Sequence, residues 1–239
     1  MPTANRRKFV PSSIRMFLGQ DYQNSELLIV DDGVDCIADI VPRLSNVRYI
    51  RIQPGRSLGQ KRNLACQASR GEVILHWDDD DWYAAWRIGY QLKALTEAAL
   101  DLCGVDRVLL VDPKLGRACE YIYRGMGVPW LCGSSLCYRR DFWQRHPFGD
   151  INEGEDTRFV ATAVDARIAV LPNSRLLVAR IHDGNTSRNR PYECWAAHPI
   201  TVVQSVVGDD WEQIFGGKDG LPLQSYAPGK RNNGKLCSL

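Results

Sequence analysis

The chain of 239 residues is 44% hydrophobic, which is enough to bury the core of one α/β domain, or of one domain plus an appendage. Its formal net charge is only +2 and its basic residues are scattered, so the sequence argues against a nucleic-acid-binding protein. It contains no apolar run of about 18 residues and no apolar segment after the basic residues Arg6, Arg7 and Lys8. We therefore expect neither a membrane span nor a signal peptide.

The eight cysteines form no Cys-x-x-Cys pair, and most of them stand within apolar runs. A free thiol in such a setting packs as a small hydrophobic group. Stable disulfides are rare in the reducing cytosol, so this cysteine usage predicts reduced, structural thiols in a cytoplasmic protein.

The first hundred residues alternate short apolar runs with helical patterns, which is typical of βαβ units and a largely parallel sheet. Helices are predicted over residues 10–18, 59–68 and 86–99, with Leu64 and Ala68 on the inner face of the second. Strands are predicted over residues 27–30, 47–52 and 73–77. Acidic residues follow the first and third strands. Because ligands of open α/β sheets bind at the carboxyl ends of the strands, we expect both acidic segments to border one crevice.

The second half of the chain has a mixed pattern. Strands over residues 107–111 and 118–123 flank a turn at 112–116 and predict a hairpin. Further strands are predicted over residues 131–138, 168–171 and 176–181, with a short helix over 157–164. Residues 227–239 offer little to bury and predict a flexible tail.

Four consecutive aspartates at residues 78–81 lie between Trp77 and Trp82, at the end of a predicted strand. Carboxylates in such a run repel one another unless positive charge lies among them. A divalent cation bound through one or two carboxylates and phosphate oxygens would neutralise them. The alternative is a solvated acidic loop with a helix-capping aspartate.

A second acidic segment contains Glu153, Glu155 and Asp156 at the start of a predicted helix. Carboxylates at this position interact favourably with the helix dipole, which would account for them without any catalytic role. A carboxylate among others in a closed crevice can also have the raised proton affinity that a general base needs. The residues alone leave both interpretations open.

Two further segments are candidates for ligand binding. His182 leaves a predicted strand into a loop, as metal and phosphate ligands often do, although a lone histidine is more often a surface or core group. Residues 55–63 combine glycines with cations at a helix start, which is a plausible cradle for a pyrophosphate. The spacing excludes a P-loop.

Six segments, taken in order, resemble the family 2 glycosyltransferases, an inverting family with the GT-A fold. They are residues 2–6 (Pro-Thr-Ala-Asn-Arg), 28–33 (Leu-Ile-Val-Asp-Asp-Gly), 58–63, 78–81, 133–136 (Gly-Ser-Ser-Leu) and 154–156 (Gly-Glu-Asp). The resemblance implies an α/β domain with a Rossmann-like mixed sheet flanked by helices. Only Met1 precedes Pro2 and Thr3, where the family has several apolar residues, so we expect either a truncated start or a shortened first strand.

The resemblance also implies an organisation: a nucleotide-sugar-binding half over residues 1–104, an acceptor-binding half over 105–200, and a C-terminal helix with a flexible tail over 201–239. The implied donor-binding residues are Thr3, Asn5, Asp31, Lys61, Asn63, Asp78 and Asp79. Asp80 and His182 would hold the metal, Mg²⁺ or Mn²⁺.

For catalysis, the resemblance implies that Asp156 is the general base and Glu155 its neighbour in the acceptor site. The implied acceptor-binding residues are Gly133, Ser134 and Trp130. The aromatic side chains of Trp82, Trp130 and Trp143 are candidate sugar platforms or ordinary wall packing.

The function that the resemblance implies is inverting transfer of a sugar, from a nucleotide-sugar donor such as a UDP-sugar, to the hydroxyl of a glycan or another acceptor. A metal-dependent nucleotidyl or phosphoryl transferase would also use clustered aspartates, but it gives Glu155 and Asp156 no role. A non-catalytic sugar-nucleotide- or glycan-binding protein with this fold is a further alternative.

Overall fold

Three short strands near the start of the chain form a parallel sheet. They are β1 (Pro2–Thr3), β2 (Leu27–Asp31) and β3 (Val47–Arg51), in that order across the sheet. The computed structural model describes residues 1–123, 130–162, 164–186 and 195–216. All five residues of β2 are buried, as expected of a continuous apolar run in a parallel sheet. The register places Thr3 beside Asp31, so both reach the carboxyl edge of this sheet.

The first strand has two residues. The backbone nitrogen of Met1 extends its pairing by donating to the carbonyl of Leu28 at 2.8 Å.

Two mixed sheets complete the architecture. The second contains β4 (Val73–Leu75), β6 (Leu102–Gly104), β9 (Cys137–Arg139) and β10 (Ile168–Val170), in the order β10-β6-β9-β4. The third contains β5 (Trp82–Tyr83), β7 (Arg107–Asp112), β8 (Arg117–Ile122), β11 (Leu177–Arg180) and β12 (Trp195–His198), in the order β12-β8-β7-β11-β5. The predicted hairpin is confirmed as antiparallel β7 and β8, and Gly116 (φ 61°) supplies a left-handed turn residue.

Helices pack on these sheets. They are α1 (Val10–Leu18), α2 (Leu58–Ala68), α3 (Arg87–Glu97), α4 (Arg140–Arg145), α5 (Glu155–Ala161), α6 (Ile200–Val207) and α7 (Trp211–Ile214). The main core joins Val10 and Ile14 of α1 to Ile29 of β2 and Leu95 of α3. In the part of the chain that is described, every helix is too short or too polar to cross a bilayer. The tail predicted over 227–239 lies outside the described residues.

The strand predicted over residues 131–138 is wrong over most of its length. A 3₁₀ turn at Gly133–Ser135 precedes β9, which begins only at Cys137. The turn is stabilised by the Ser135 hydroxyl, which donates to the Cys132 carbonyl at 2.6 Å and accepts from the backbone nitrogen of Val105 at 3.0 Å. These side-chain bonds compete with an extended ladder.

The inner face predicted for α2 is also wrong. Leu64 is exposed, whereas Gly59, Lys61, Arg62 and Cys66 are buried. Gly59 causes this rotation of the helix: its backbone nitrogen donates to the carbonyl of Ile151 at 3.1 Å, and a Cβ at this position would overlap the carbonyl oxygen of Gly149. The close approach of Gly59 to Gly149 turns the side chains of Lys61 and Arg62 inward.

We predict that Gly59→Ala destabilises the fold by about 2 kcal/mol, because the added methyl group forces apart two backbone segments that cannot adapt as a side chain could. Equilibrium urea unfolding would measure the loss as a lower midpoint at unchanged slope. Gly149→Ala is the matched control, since a Cβ there meets no atom within 4 Å among the described residues. Equal stability of the two variants would contradict the packing argument.

Candidate active site

The acidic run follows β4 and enters the protein interior. The side chains of Asp79, Asp80 and Asp81 are only 2%, 8% and 6% exposed, and Asp78 is half-buried. Burying charged carboxylates is costly unless they are paired or protonated. The contacts of each aspartate show how this cost is met.

Asp79 contacts the first strand. It accepts a hydrogen bond from the Thr3 hydroxyl at 2.5 Å and another from Arg6 Nη1 at 2.9 Å. Burial and the adjacent charge of Asp80 raise the pKa of Asp79 to about 6, although Arg6 and Thr3 act in the opposite direction.

Asp80 is surrounded by hydrogen-bond donors. Its Oδ2 accepts from Arg6 Nη1 at 2.6 Å and from His182 Nε2 at 2.9 Å. The other ring nitrogen, His182 Nδ1, accepts from the backbone nitrogen of Gly184 at 3.0 Å, which leaves Nε2 as the donor to Asp80. Burial alone would raise the pKa of Asp80, but the His182 hydrogen bond and the charge of Arg6 outweigh it and lower that pKa.

Asp81 faces away from this pair, toward Arg180. Burial and then the charges of Asp80 and Asp78 raise the pKa of Asp81 well above its ordinary value. The backbone nitrogen of Arg180 donates to Asp81 Oδ1 at 3.1 Å, and its guanidinium donates to the carbonyls of Asp80 and Ile214. The guanidinium also lies over the rings of Phe9 and Phe215.

Arg62 joins the two acidic segments that the sequence singled out. Its Nε donates to Glu155 Oε1 at 3.0 Å and its Nη2 lies 3.4 Å from Asp78 Oδ1. Arg62 and Glu155 are both buried. A buried carboxylate and guanidinium hold each other in place, because either alone would be an uncompensated charge.

Asp156 lies beside this pair, at the start of α5. Its Oδ1 accepts from the backbone nitrogen of Thr157 at 2.7 Å. Its Oδ2 lies against Gly133, where any Cβ would overlap it. The Gly133 carbonyl in turn accepts from His76 Nδ1 at 2.7 Å. Burial and the charge of Arg62 lower the pKa of His76 well below its ordinary value. Neutral His76 thus fixes the glycine on which Asp156 packs.

Glu155 and Asp156 differ in accessibility. Glu155 is 3% exposed, whereas Asp156 is half-buried. Burial raises the pKa of Glu155, and the charge of Arg62 opposes that change.

The other side of the crevice contains the expected donor residues. Asp31 is fully buried: its Oδ1 accepts from the Gly33 nitrogen at 2.8 Å, and its Oδ2 accepts from the Tyr49 hydroxyl at 2.7 Å and lies 3.0 Å from Arg51 Nη1. Lys61 pairs with Asp32 at 2.7 Å. The exposed Asn5 adopts a left-handed conformation (φ 56°), and its side chain accepts from the Asp35 nitrogen at 3.1 Å.

Several predicted site residues have other contacts. The Asn63 amide donates to the Phe148 carbonyl and accepts from the Phe148 nitrogen and from Trp143 Nε1, each at 2.9 Å, so it holds the 143–148 segment in place. Trp82 is buried and donates to Asp210 at 3.0 Å, which removes it as a sugar platform.

Of the predicted acceptor-binding residues, Ser134 is buried beside Asp81 and its carbonyl accepts from Arg87 at 2.7 Å. Trp130 is half-buried and stacks on Tyr123, with ring centroids 5.5 Å apart.

Three arginines at this site were not among the predicted site residues: Arg6, Arg62 and Arg180. They supply the positive charge for which the sequence argument invoked a divalent cation. The repulsion within the acidic run is therefore not by itself evidence for a metal. Arg62 had a detectable signal, since it lies within the cationic helix start already noted, whereas Arg180 ends the strand β11 and has no distinguishing sequence motif beside it.

The ligand types at Asp80 and His182 nevertheless suit a divalent ion. An imidazole nitrogen and a carboxylate oxygen 2.9 Å apart can share one ion if their hydrogen-bond proton leaves. Within the described ranges, no group of three or more histidine, cysteine or acidic side chains could hold a metal ion. An ion here would need its remaining ligands from water and a bound phosphate.

Comparison with known proteins gives a consistent result. Residues 1–123 match the sequence model of "Glycosyl transferase family 2". An uncharacterized glycosyltransferase of Haemophilus influenzae is 26% identical over 102 residues, 41% of each chain. The glycosyl transferase WcaA of Escherichia coli K12, provisionally assigned to colanic acid biosynthesis, is 34% identical over 93 residues, 37% of this chain and 33% of WcaA. The matches thus span less than half of these curated relatives.

The fold resembles that of S. aureus TarS. Residues 1–349 of TarS in complex with UDP-GlcNAc give a TM-score of 0.64 at 20% identity, over 79% of this chain and 59% of TarS. The complex with UDP gives a TM-score of 0.61 at 21% identity, over 75% of this chain and 59% of TarS. The GT-A fold expected from the sequence is confirmed by this likeness.

The family match covers more than half of the 239 residues and includes the first strand, the Asp31 segment and the acidic run. The fold agrees with it. The chain therefore belongs to glycosyl transferase family 2.

Proposed function

We propose that this chain transfers a sugar from a UDP-sugar to a hydroxyl acceptor, with inversion and with a divalent ion at Asp80 and His182. The observation that carries the proposal is the Arg62 bridge, which connects Asp78 to Glu155 and so brings the acidic run and the Glu155-Asp156 pair into one crevice. A nucleotidyl or phosphoryl transferase would not need this second acidic pair.

The donor assignment is supported by the carboxyl edge of the first sheet. Thr3, Asp31 and Lys61 cluster there with Asp79 within reach, and TarS binds UDP and UDP-GlcNAc in a similar fold. We assign the base and ribose to the Thr3 and Asp31 side, and Asn5 to the rim of this pocket. In this assignment Asp31 acts through the ordered Gly33 loop, because its own oxygens already have partners.

The metal proposal is supported by donor chemistry. Asp80 and His182 would hold Mg²⁺ or Mn²⁺, with Asp78 and Asp79 beside the nucleotide-sugar. When bound, such an ion stabilises the negative charge that develops on the departing nucleoside diphosphate.

Asp156 is the proposed general base. The neighbouring Glu155 is buried against Arg62 and cannot reach an acceptor without breaking that ion pair, whereas Asp156 is half-exposed with its carboxylate fixed by Thr157 and Gly133. Asp156 would take the proton of the acceptor hydroxyl while that oxygen attacks the anomeric carbon and the diphosphate leaves from the opposite face. Glu155 then serves as the anchor that orients the start of α5.

Gly133, Ser134 and Trp130 form the proposed acceptor side, with residues 105–200 as the acceptor-binding half and residues 1–104 as the donor-binding half. The partly exposed ring of Trp130 is the feature that supports a glycan acceptor there. A cytoplasmic site of action remains part of the proposal, and the free thiols of the six described cysteines favour it.

We predict that Asp80→Asn weakens UDP binding in the presence of Mn²⁺ by at least about tenfold, because the variant loses a charged metal ligand. Calorimetric titration of UDP with and without Mn²⁺ would measure the change. Asp183→Asn is the control, since that carboxylate lies in the His182 loop but is 95% exposed. If UDP binds Asp80→Asn as tightly as wild type, the metal assignment is wrong.

We predict that Asp156→Asn reduces turnover by about 10²–10⁴-fold, the typical contribution of a general base, while Mn²⁺-dependent UDP binding is unchanged. Release of UDP from a panel of UDP-sugars, with and without glycan acceptors, would measure turnover. Glu153→Gln, an exposed carboxylate of the same segment, should keep full activity. A wild-type protein that binds UDP but turns over no donor would instead support the non-catalytic alternative.

A further inference from the structure

One guanidinium nitrogen occupies the centre of the acidic run. Arg6 Nη1 lies 2.9 Å from Asp79 Oδ1 and 2.6 Å from Asp80 Oδ2, so a single positively charged group bridges two carboxylates. The other nitrogen, Arg6 Nη2, donates to the Gly184 carbonyl at 2.5 Å. The guanidinium therefore connects the acidic run to the His182 loop.

We propose that Arg6 takes the place of the metal ion. Its guanidinium holds Asp79 and Asp80 together until an ion binds at Asp80, and then moves to the diphosphate of the donor. The proposal rests on the metal-dependent function proposed above. It adds a mobile positioning residue to which the sequence pattern had given no role.

The argument begins with the shared oxygen. Asp80 Oδ2 accepts from both Arg6 and His182, and the proposed ion would bind between this oxygen and His182. A metal ion lies within about 2.0–2.2 Å of a carboxylate oxygen. A guanidinium nitrogen that remained 2.6 Å from the same oxygen would hold a second positive charge beside the ion, and the two charges would repel each other. Arg6 and the ion therefore compete for Asp80.

The displaced guanidinium needs a new anionic partner. Its side chain is 19% exposed, so it already borders the open side of the site, in contrast to Asp79. A diphosphate whose oxygens complete the coordination of the ion would lie beside Asp80, and a planar guanidinium binds phosphate oxygens in a bidentate manner. Arg6 can thus exchange the carboxylate oxygens of Asp79 and Asp80 for two oxygens of the diphosphate.

This exchange makes the metal and the nucleotide depend on each other. Without nucleotide, an ion must displace Arg6 from two carboxylates and leave it without an equivalent partner. With nucleotide, the diphosphate receives Arg6 and supplies further ligands to the ion. By linkage, each ligand then raises the affinity for the other by the same factor.

The test compares Mn²⁺ affinity with and without saturating UDP in wild type, Arg6→Gln and Arg7→Gln, by electron paramagnetic resonance of free Mn²⁺. Arg7 is the matched control, because it carries the same charge at the next position but pairs with the exposed Asp35 and Asp39. The Asp80→Asn variant identifies the Mn²⁺ binding that belongs to this site, because that part of the binding is weakened in the variant. Thermal unfolding of each variant confirms that it is folded.

We expect Arg6→Gln to bind Mn²⁺ about tenfold more tightly than wild type without UDP, a change of about 1.4 kcal/mol. We also expect the enhancement of Mn²⁺ binding by UDP to shrink by at least the same factor, since the variant loses the contact to the diphosphate. Arg7→Gln should match wild type in both measurements.

Two results would overturn the proposal, and they are distinguishable. If Arg6→Gln binds Mn²⁺ with UDP present but shows wild-type affinity and wild-type enhancement, Arg6 does not compete with the ion, while the metal site stands. If wild type binds UDP but no Mn²⁺ under either condition, the metal-dependent function fails and this inference fails with it.

Discussion

The structure depends on one electrostatic constraint, which is that three buried aspartates, Asp79, Asp80 and Asp81, lie close to a second acidic pair. Isolated buried carboxylates would cost several kcal/mol each, so the fold has to deliver compensating charge to specific atoms. Arg6, Arg62 and Arg180 provide it, from the first loop, the second helix and a late strand. The site therefore forms only when distant parts of the chain have come together.

The same constraint gives chemically identical side chains different properties. Asp79 and Asp81 have raised pKa values because burial dominates, whereas two hydrogen-bond donors lower the pKa of the adjacent Asp80. Of Asp79, Asp80 and Asp81, Asp80 is thus the carboxylate best suited to remain ionised at low pH and to attract a cation. Likewise, Glu155 is fixed by Arg62 while Asp156 keeps access to the crevice.

Much of this could be predicted from the sequence, because the signals are local. Apolar periodicity located α1 at its observed bounds and the hairpin at β7 and β8, and the strand before the acidic run placed that run at an edge. The orientation of α2 could not be predicted, since hydrophobicity alone turns Leu64 inward, whereas the close approach of Gly59 to Gly149 buries Lys61 and Arg62. Such contacts depend on segments that are distant in sequence. Asn63 illustrates the converse, a residue within a family motif whose contacts serve packing.

The anchoring of Arg180 has a consequence for the order in which the molecule is assembled. Its guanidinium donates to the carbonyls of Asp80 and Ile214 and lies over the ring of Phe215. On the ribosome, a nascent chain that has not yet extended past these two residues lacks this support, although both acidic segments are already synthesised. The segments that precede Arg180 can begin to collapse early, but the contacts that anchor Arg180 beside the acidic run are complete only after Ile214 and Phe215 have emerged. Maturation of the site is thereby a late event of synthesis.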